Sequence, residues 1–169
     1  MSKVNFFKKE YITESPRIDS LCGIIDGVNE NPAYTITTNP ENWNATIVNP
    51  NGQEFLFIPI DHNIKVYKAD GKSLDGTCDG MILVDVRRLL AFVELKDIRS
   101  GGFADALGQL WHTIEIFLQN HQYTDFRLRR AYAANIAHPH FHYNMKDEME
   151  DFKNKLHFTL FPEATITIK

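Results

Sequence analysis

Two stretches, Cys78-Asp79-Gly80-Met81-Ile82-Leu83-Val84 and Phe92-Val93-Glu94-Leu95-Lys96, decide how this chain is read. Residues 80–86 and 89–95 are almost continuously apolar, the pattern of strands buried on both faces at the centre of a sheet. Paired as a hairpin that turns near Arg87-Arg88, they bring the carboxylates of Asp79 and Glu94 together. Glu94 and Lys96 are two residues apart on one strand, so both leave the same face. Charges at the end of an apolar central strand need partners, because burying them alone is costly. A salt bridge where the strand emerges into a loop would satisfy Glu94 and Lys96 by themselves. With Asp79 added, the group is a paired acid beside an ammonium, able to hold a hard divalent cation and prepare a water for attack on phosphate.

Downstream, Ser100-Gly101-Gly102 interrupts the pattern and leads into a helix. Phe103, Leu107, Leu110, Trp111, Ile114, Phe117 and Leu118 recur at helical spacing as one broad apolar stripe. Asp105, Gln109 and His112 share a flank of that stripe, and His112 is either turned to the cleft or a helix-surface histidine. Residues 132–136 read as the next strand, 145–156 as a charged helix, and 158–168 as an extended ending. Upstream, residues 6–28 leave room for one short helix, with Ser15-Pro16 as its start. Residues 45–48 and 54–58 read as strands, and Asn51-Gly52 between them predicts an antiparallel hairpin. Residues 64–67 suggest another short strand. The expected fold is α/β (α+β): a single domain over residues 1–169, with a central mixed sheet flanked by helices.

The hydrophobic share of 43% and charged share of 24% are ordinary for a globular chain, and 169 residues suffice to bury a core. A net charge of −4 argues against general attraction to nucleic acid. Arg87-Arg88 and Arg127, Arg129 and Arg130 are two local basic clusters, read either as phosphate-binding or as solvated charges. The first residues lack the pattern of a secretory signal, and no window nears the roughly 18 apolar residues that cross a bilayer. Cys22 and Cys78 have no metal or disulfide spacing, which fits reduced thiols in a cytoplasmic protein. His138-Pro139-His140-Phe141-His142 alternates imidazoles, as a metal or phosphate site could, or as a polar loop. Trp43 and Trp111 read as core aromatics.

An acid before one strand, Glu-x-Lys on the next, and a following helix with a Gln together resemble the PD-(D/E)XK nucleases, the restriction endonuclease-like superfamily. The resemblance covers residues 44–137, with its catalytic part at Asp79 to Gln109. It implies that Asp79, Glu94 and the backbone carbonyl of Leu95 hold Mg²⁺, for which Mn²⁺ can substitute. Lys96 would then orient or activate the water, and Gln109 would position it or the phosphate. It further implies a nuclease acting on nucleic acid, DNA by the family's habit, as a homodimer or beside a partner ATPase or targeting subunit. The same fold without turnover, as a nucleic-acid- or protein-binding subunit, is the alternative. Cys78 stands where the family has proline. The acid the family sometimes carries on its first helix could be Glu10, Glu14, Asp26 or Glu30.

Overall fold

The computed structural model describes residues 3–85, 88–96, 102–135 and 145–169. Their organisation follows from the two buried strands. Strand β5 (Gly80–Val84) and strand β6 (Leu89–Lys96) pair antiparallel, as the hairpin reading expects. On the outer side of β5 lies β4 (Phe55–Pro59), also antiparallel. On the far side of β6 lies β7 (Leu128–Asn135), parallel to it, followed by β8 (Thr159–Phe161). The five-stranded sheet therefore runs β4-β5-β6-β7-β8.

A second sheet packs against it. Its strands are β1 (Leu21–Ile25), β2 (Tyr34–Ile36), β3 (Ala45–Val48) and β9 (Thr165–Thr167), in the order β2-β1-β3-β9. Cys22, Ile24 and Ile47 of this smaller sheet share one core with Phe57, Ile82, Ala91 and Val93 of the larger. Helix α1 (Phe103–Asn120) covers the opposite face of the large sheet, and its Leu110, Ile114 and Phe117 join Met81, Leu90 and Phe92 there. Each such fully buried side chain contributes roughly 1.5–3 kcal/mol. With the small sheet on one face and a helix on the other, β6 is buried from Leu89 to Leu95. That accounts for its unbroken apolar run.

Gly80 is required by close approach. A Cβ there would overlap the ring of Phe57 on the adjacent strand. A Cβ at Gly23 would likewise overlap the indole of Trp43, which lies across β1 and donates from Nε1 to the Thr38 carbonyl at 2.8 Å.

Four expectations are corrected. Residues 6–28 hold only a single 3₁₀ turn at Lys9–Tyr11, and Leu21–Ile25 is a strand. The apolar run around Gly23 is satisfied by sheet pairing rather than by a helix face. Strands β3 and β4 do not form a hairpin. Gly52 does turn the chain, with φ +59°, but β3 then pairs with β1 and β9 while β4 pairs with β5. Residues 64–67 make no strand; Tyr67 forms one isolated bridge to Leu74. The single central sheet becomes two sheets face to face. At the other elements, β7 begins at Leu128, and the last helix is α2 (Lys146–Asp151) widening into a π-helical turn at Phe152–Leu156.

Candidate functional site

The β4-β5-β6 meander aligns three chain positions at one end of the sheet: the exit of β4, the entrance of β5 and the exit of β6. Gly80 pairs with Val93, so one step further Asp79 stands across from Glu94. Directly opposed residues of an antiparallel pair share a face. That face is the one α1 covers, since Met81 and Phe92 on the same alternation pack against the helix. Asp79 Oδ2 accepts the Leu95 N–H at 2.5 Å, which continues the β5–β6 ladder with a side chain.

Glu94 is the buried member, with 4% of its side chain exposed. Its Oε1 lies 3.8 Å from Lys96 Nζ, and its Oε2 has no hydrogen-bond partner among the described residues. Burial and then the charge of Asp79 push the Glu94 carboxyl well above the ordinary range, against a smaller opposing pull from Lys96. Burial likewise raises Asp79, partly offset by the Leu95 N–H and reinforced by the charges of Asp26 and Asp61. Burial thus holds both carboxyls toward their protonated forms when no cation is bound.

Gln109 and His112 meet the segment leading into Asp79. A Cβ added at Gly76 would lie 3.9 Å from the Gln109 amide nitrogen, and the Gln109 Oε1 is buried without a hydrogen-bond partner among the described residues. His112 Nε2 is 2.6 Å from Asp75 Oδ2, so this histidine is tied to the loop while 41% of its side chain stays exposed. Thr113 accepts the Cys78 N–H at 2.8 Å and donates to the Gln109 carbonyl at 2.7 Å. Helix α1 thus fixes the backbone one residue before Asp79. Cys78 itself is fully buried, and burial pushes its thiol far up, so it offers no nucleophile. The Leu95 side chain lies in the core between the sheets, with its N–H committed to Asp79.

Arg88, Arg129 and Arg130 lie away from this group. Leu128 pairs with Leu89 and Asn135 with Lys96, so Arg129 and Arg130 stand toward the opposite end of the strands. Arg129 donates to the His157 and Phe126 carbonyls, and Arg130 to that of Thr167, fastening the C-terminal segment. Arg88 pairs with Asp85 and Gln53. Arg87, and His138, His140 and His142, lie outside the described residues.

Among the described residues, none of the four candidate acids lies on an α-helix. Glu10 pairs with Lys8 on the surface, Glu14 holds the Thr35 N–H and hydroxyl, and Glu30 is exposed in a left-handed turn. Asp26, just after β1, does act on the pair electrostatically, and so does Asp61, just after β4. Asp61 escaped the sequence reading. Its signal was an acid immediately following an apolar strand, the same arrangement that marked Glu94.

Comparison with protein-family models, curated proteins and solved structures found no match. Among the described residues, no helix is long and apolar enough to cross a membrane.

Proposed function

We propose that the protein is a metal-dependent nuclease of the PD-(D/E)XK type that hydrolyses phosphodiester bonds, with DNA as substrate. One observation carries the reading: Asp79 and Glu94 stand across from one another at one end of the central strands, with Lys96 on the same face and a Glu94 oxygen without a hydrogen-bond partner among the described residues. A buried carboxylate oxygen without a partner costs on the order of 1–3 kcal/mol, which a cation would recover. The order of elements agrees with that family: an antiparallel meander β4-β5-β6, then α1, then β7 parallel to β6.

The donor set suits Mg²⁺ or Mn²⁺. Two carboxylates are hard oxygen ligands, and the Leu95 carbonyl is the third oxygen the family would use. Among the described residues no group of three His, Cys, Asp or Glu is placed to hold a metal, so such a cation would keep water ligands, as Mg²⁺ ordinarily does. When bound, it would neutralise charge on the phosphate and lower the pKa of a water.

The chain's own groups have separate tasks. Asp79 and Glu94 bind. Lys96, half-exposed at the strand exit, carries a positive charge toward the attacking water and the anion that forms. Gln109, held by α1 beside the segment before Asp79, orients water or phosphate. A second reading is a binding subunit of this fold without turnover, favoured by the lack, among the described residues, of three such side chains placed to hold a metal.

Purified protein incubated with supercoiled plasmid, linear duplex and single strands should cleave at least one of them with Mg²⁺ or Mn²⁺, and none with EDTA. Cleavage unaffected by EDTA, or no cleavage of any substrate, would reject the nuclease reading.

A further inference from the structure

Val4 to Phe7 run as a strap across the end of α1, outside both sheets. Val4 and Phe6 are buried in the core that α1 shares with the large sheet, Phe6 completely. The Phe6 ring meets Phe92 of β6 edge-on with centroids 6.4 Å apart, and Phe117 of α1 at 5.7 Å. Phe7 meets Phe117 and Phe126, each at 5.9 Å. Two backbone donors of the strap end on consecutive side chains at the close of the helix. Val4 N–H donates to Asn120 Oδ1 at 3.0 Å, and Phe6 N–H to His121 Nε2 at 3.2 Å.

The Asn120 amide oxygen accepts at any pH, whereas His121 Nε2 accepts only while the ring is neutral. In the imidazolium both ring nitrogens carry hydrogens, so no flip of the ring restores an acceptor and the Phe6 N–H faces another donor. The surroundings favour the neutral ring. Burial holds the His121 pKa below its ordinary value, against smaller opposing pulls from the Val4 backbone and from the charge of Asp125 in the turn at Tyr123–Asp125. The other neighbours are rings without charge: Phe117 stacks on the imidazole at 4.8 Å, and Phe7 and Phe6 meet it edge-on at 4.9 Å and 5.9 Å.

We propose that His121 is an acid-sensitive latch: with a neutral ring it keeps the strap closed on the aromatic core, and protonation shifts the strap toward an open state that uncovers Phe92 and Phe117. The sign follows from linkage. An open strap leaves His121 in water, where it binds a proton more readily, so closure is fully favoured above the ordinary histidine range and weakens as pH falls through it. Burial of Val4 and Phe6 still favours closure, so the open form is a minor state whose population rises with acid. The latch bears on the strand that ends in the candidate site, since Phe92 lies on β6 two residues before Glu94 and on the same face. It stands independently of the nuclease reading.

The test is amide hydrogen exchange by NMR on the full chain, with the Phe6 and Val4 protection factors corrected for the intrinsic pH dependence of exchange. Wild type is compared with His121→Gln, which offers an acceptor oxygen that does not titrate. Asp79 and Glu94 also titrate, and the variant shares them, so the difference between the two proteins isolates His121. From about pH 7.5 to about pH 5, wild type should lose roughly tenfold in protection at Phe6 and Val4 together, the loss that goes with one broken hydrogen bond and a donor left facing a donor. His121→Gln should lose much less. An equal loss in His121→Gln, or none in wild type, would overturn the latch. A loss at Phe6 alone would overturn it too, because the bond would then break without the strap opening. If His121→Gln does not fold, the His121 ring-proton shifts of wild type decide: a titration midpoint below the ordinary histidine range supports the latch, and one at or above it overturns it.

Discussion

Glu94→Gln should stabilise the metal-free protein while destroying its site. In the wild type the Glu94 carboxylate is 4% exposed, has one ion-pair contact at 3.8 Å, and keeps one oxygen without a partner among the described residues. A long pair to a half-exposed lysine is worth at most about 1 kcal/mol. The uncompensated oxygen and the neighbouring Asp79 together cost more, and an isosteric amide can donate where Oε2 stood. The expected net gain is about 2 kcal/mol at alkaline pH. For a domain of this length that is a rise in Tm of roughly 4–8 °C.

The sign with pH follows from linkage. The folded Glu94 carboxyl is raised above its unfolded value, so the folded state binds more protons and wild-type stability falls as pH rises through that interval. Near pH 5 the wild-type side chain is already neutral and the gain should shrink toward zero. Near pH 8.5 it should be largest. Calorimetric melting at the two pH values, in EDTA, measures it. A Glu94→Gln protein that melts lower than wild type at pH 8.5 would refute the reasoning, since Glu94 would then be a satisfied structural charge.

Mn²⁺ affinity should climb between about pH 6 and pH 8, because burial leaves Asp79 and Glu94 holding protons that a cation must displace; isothermal titration in buffers of differing ionisation enthalpy would count them. Thr113→Val keeps the shape but strands the buried Cys78 N–H, and should cost about 1–3 kcal/mol in urea unfolding while Thr113→Ser costs much less. Gly23→Ala pushes a methyl into the Trp43 ring and should cost about 1–3 kcal/mol, seen as a lower urea midpoint with altered tryptophan fluorescence.

The β5–β6 hairpin and α1 were legible because their signals are local. A doubly buried strand is an apolar run, and a helix packed on one side is a stripe at helical spacing. The shared face of Glu94 and Lys96 followed from strand periodicity alone. The smaller sheet was hidden because its pairings are distant. Leu21 meets Val48, and Thr46 meets Thr165, so no turn motif announces them. Asn51-Gly52 misled for the same reason. It turns the chain as expected, but the strands on either side find partners elsewhere. Asp61 is positioned by β4 lying beside β5, and that is set by sheet order. The basic residues near 127–130 looked available for phosphate because their carbonyl partners around residues 157 and 167 are remote in the chain.

Lys96 separates holding a cation from using it, so the most direct test of the account is plasmid cleavage by Lys96→Ala beside wild type in Mn²⁺. Cation affinity of both proteins is confirmed beforehand. The lysine offers no oxygen ligand, so the variant should bind Mn²⁺ about as wild type does. Without the ammonium beside the attacking water its cleavage rate should fall on the order of a hundredfold or more. Cleavage by Lys96→Ala at the wild-type rate would contradict the account, because the chemistry would then lie somewhere other than the end of β6.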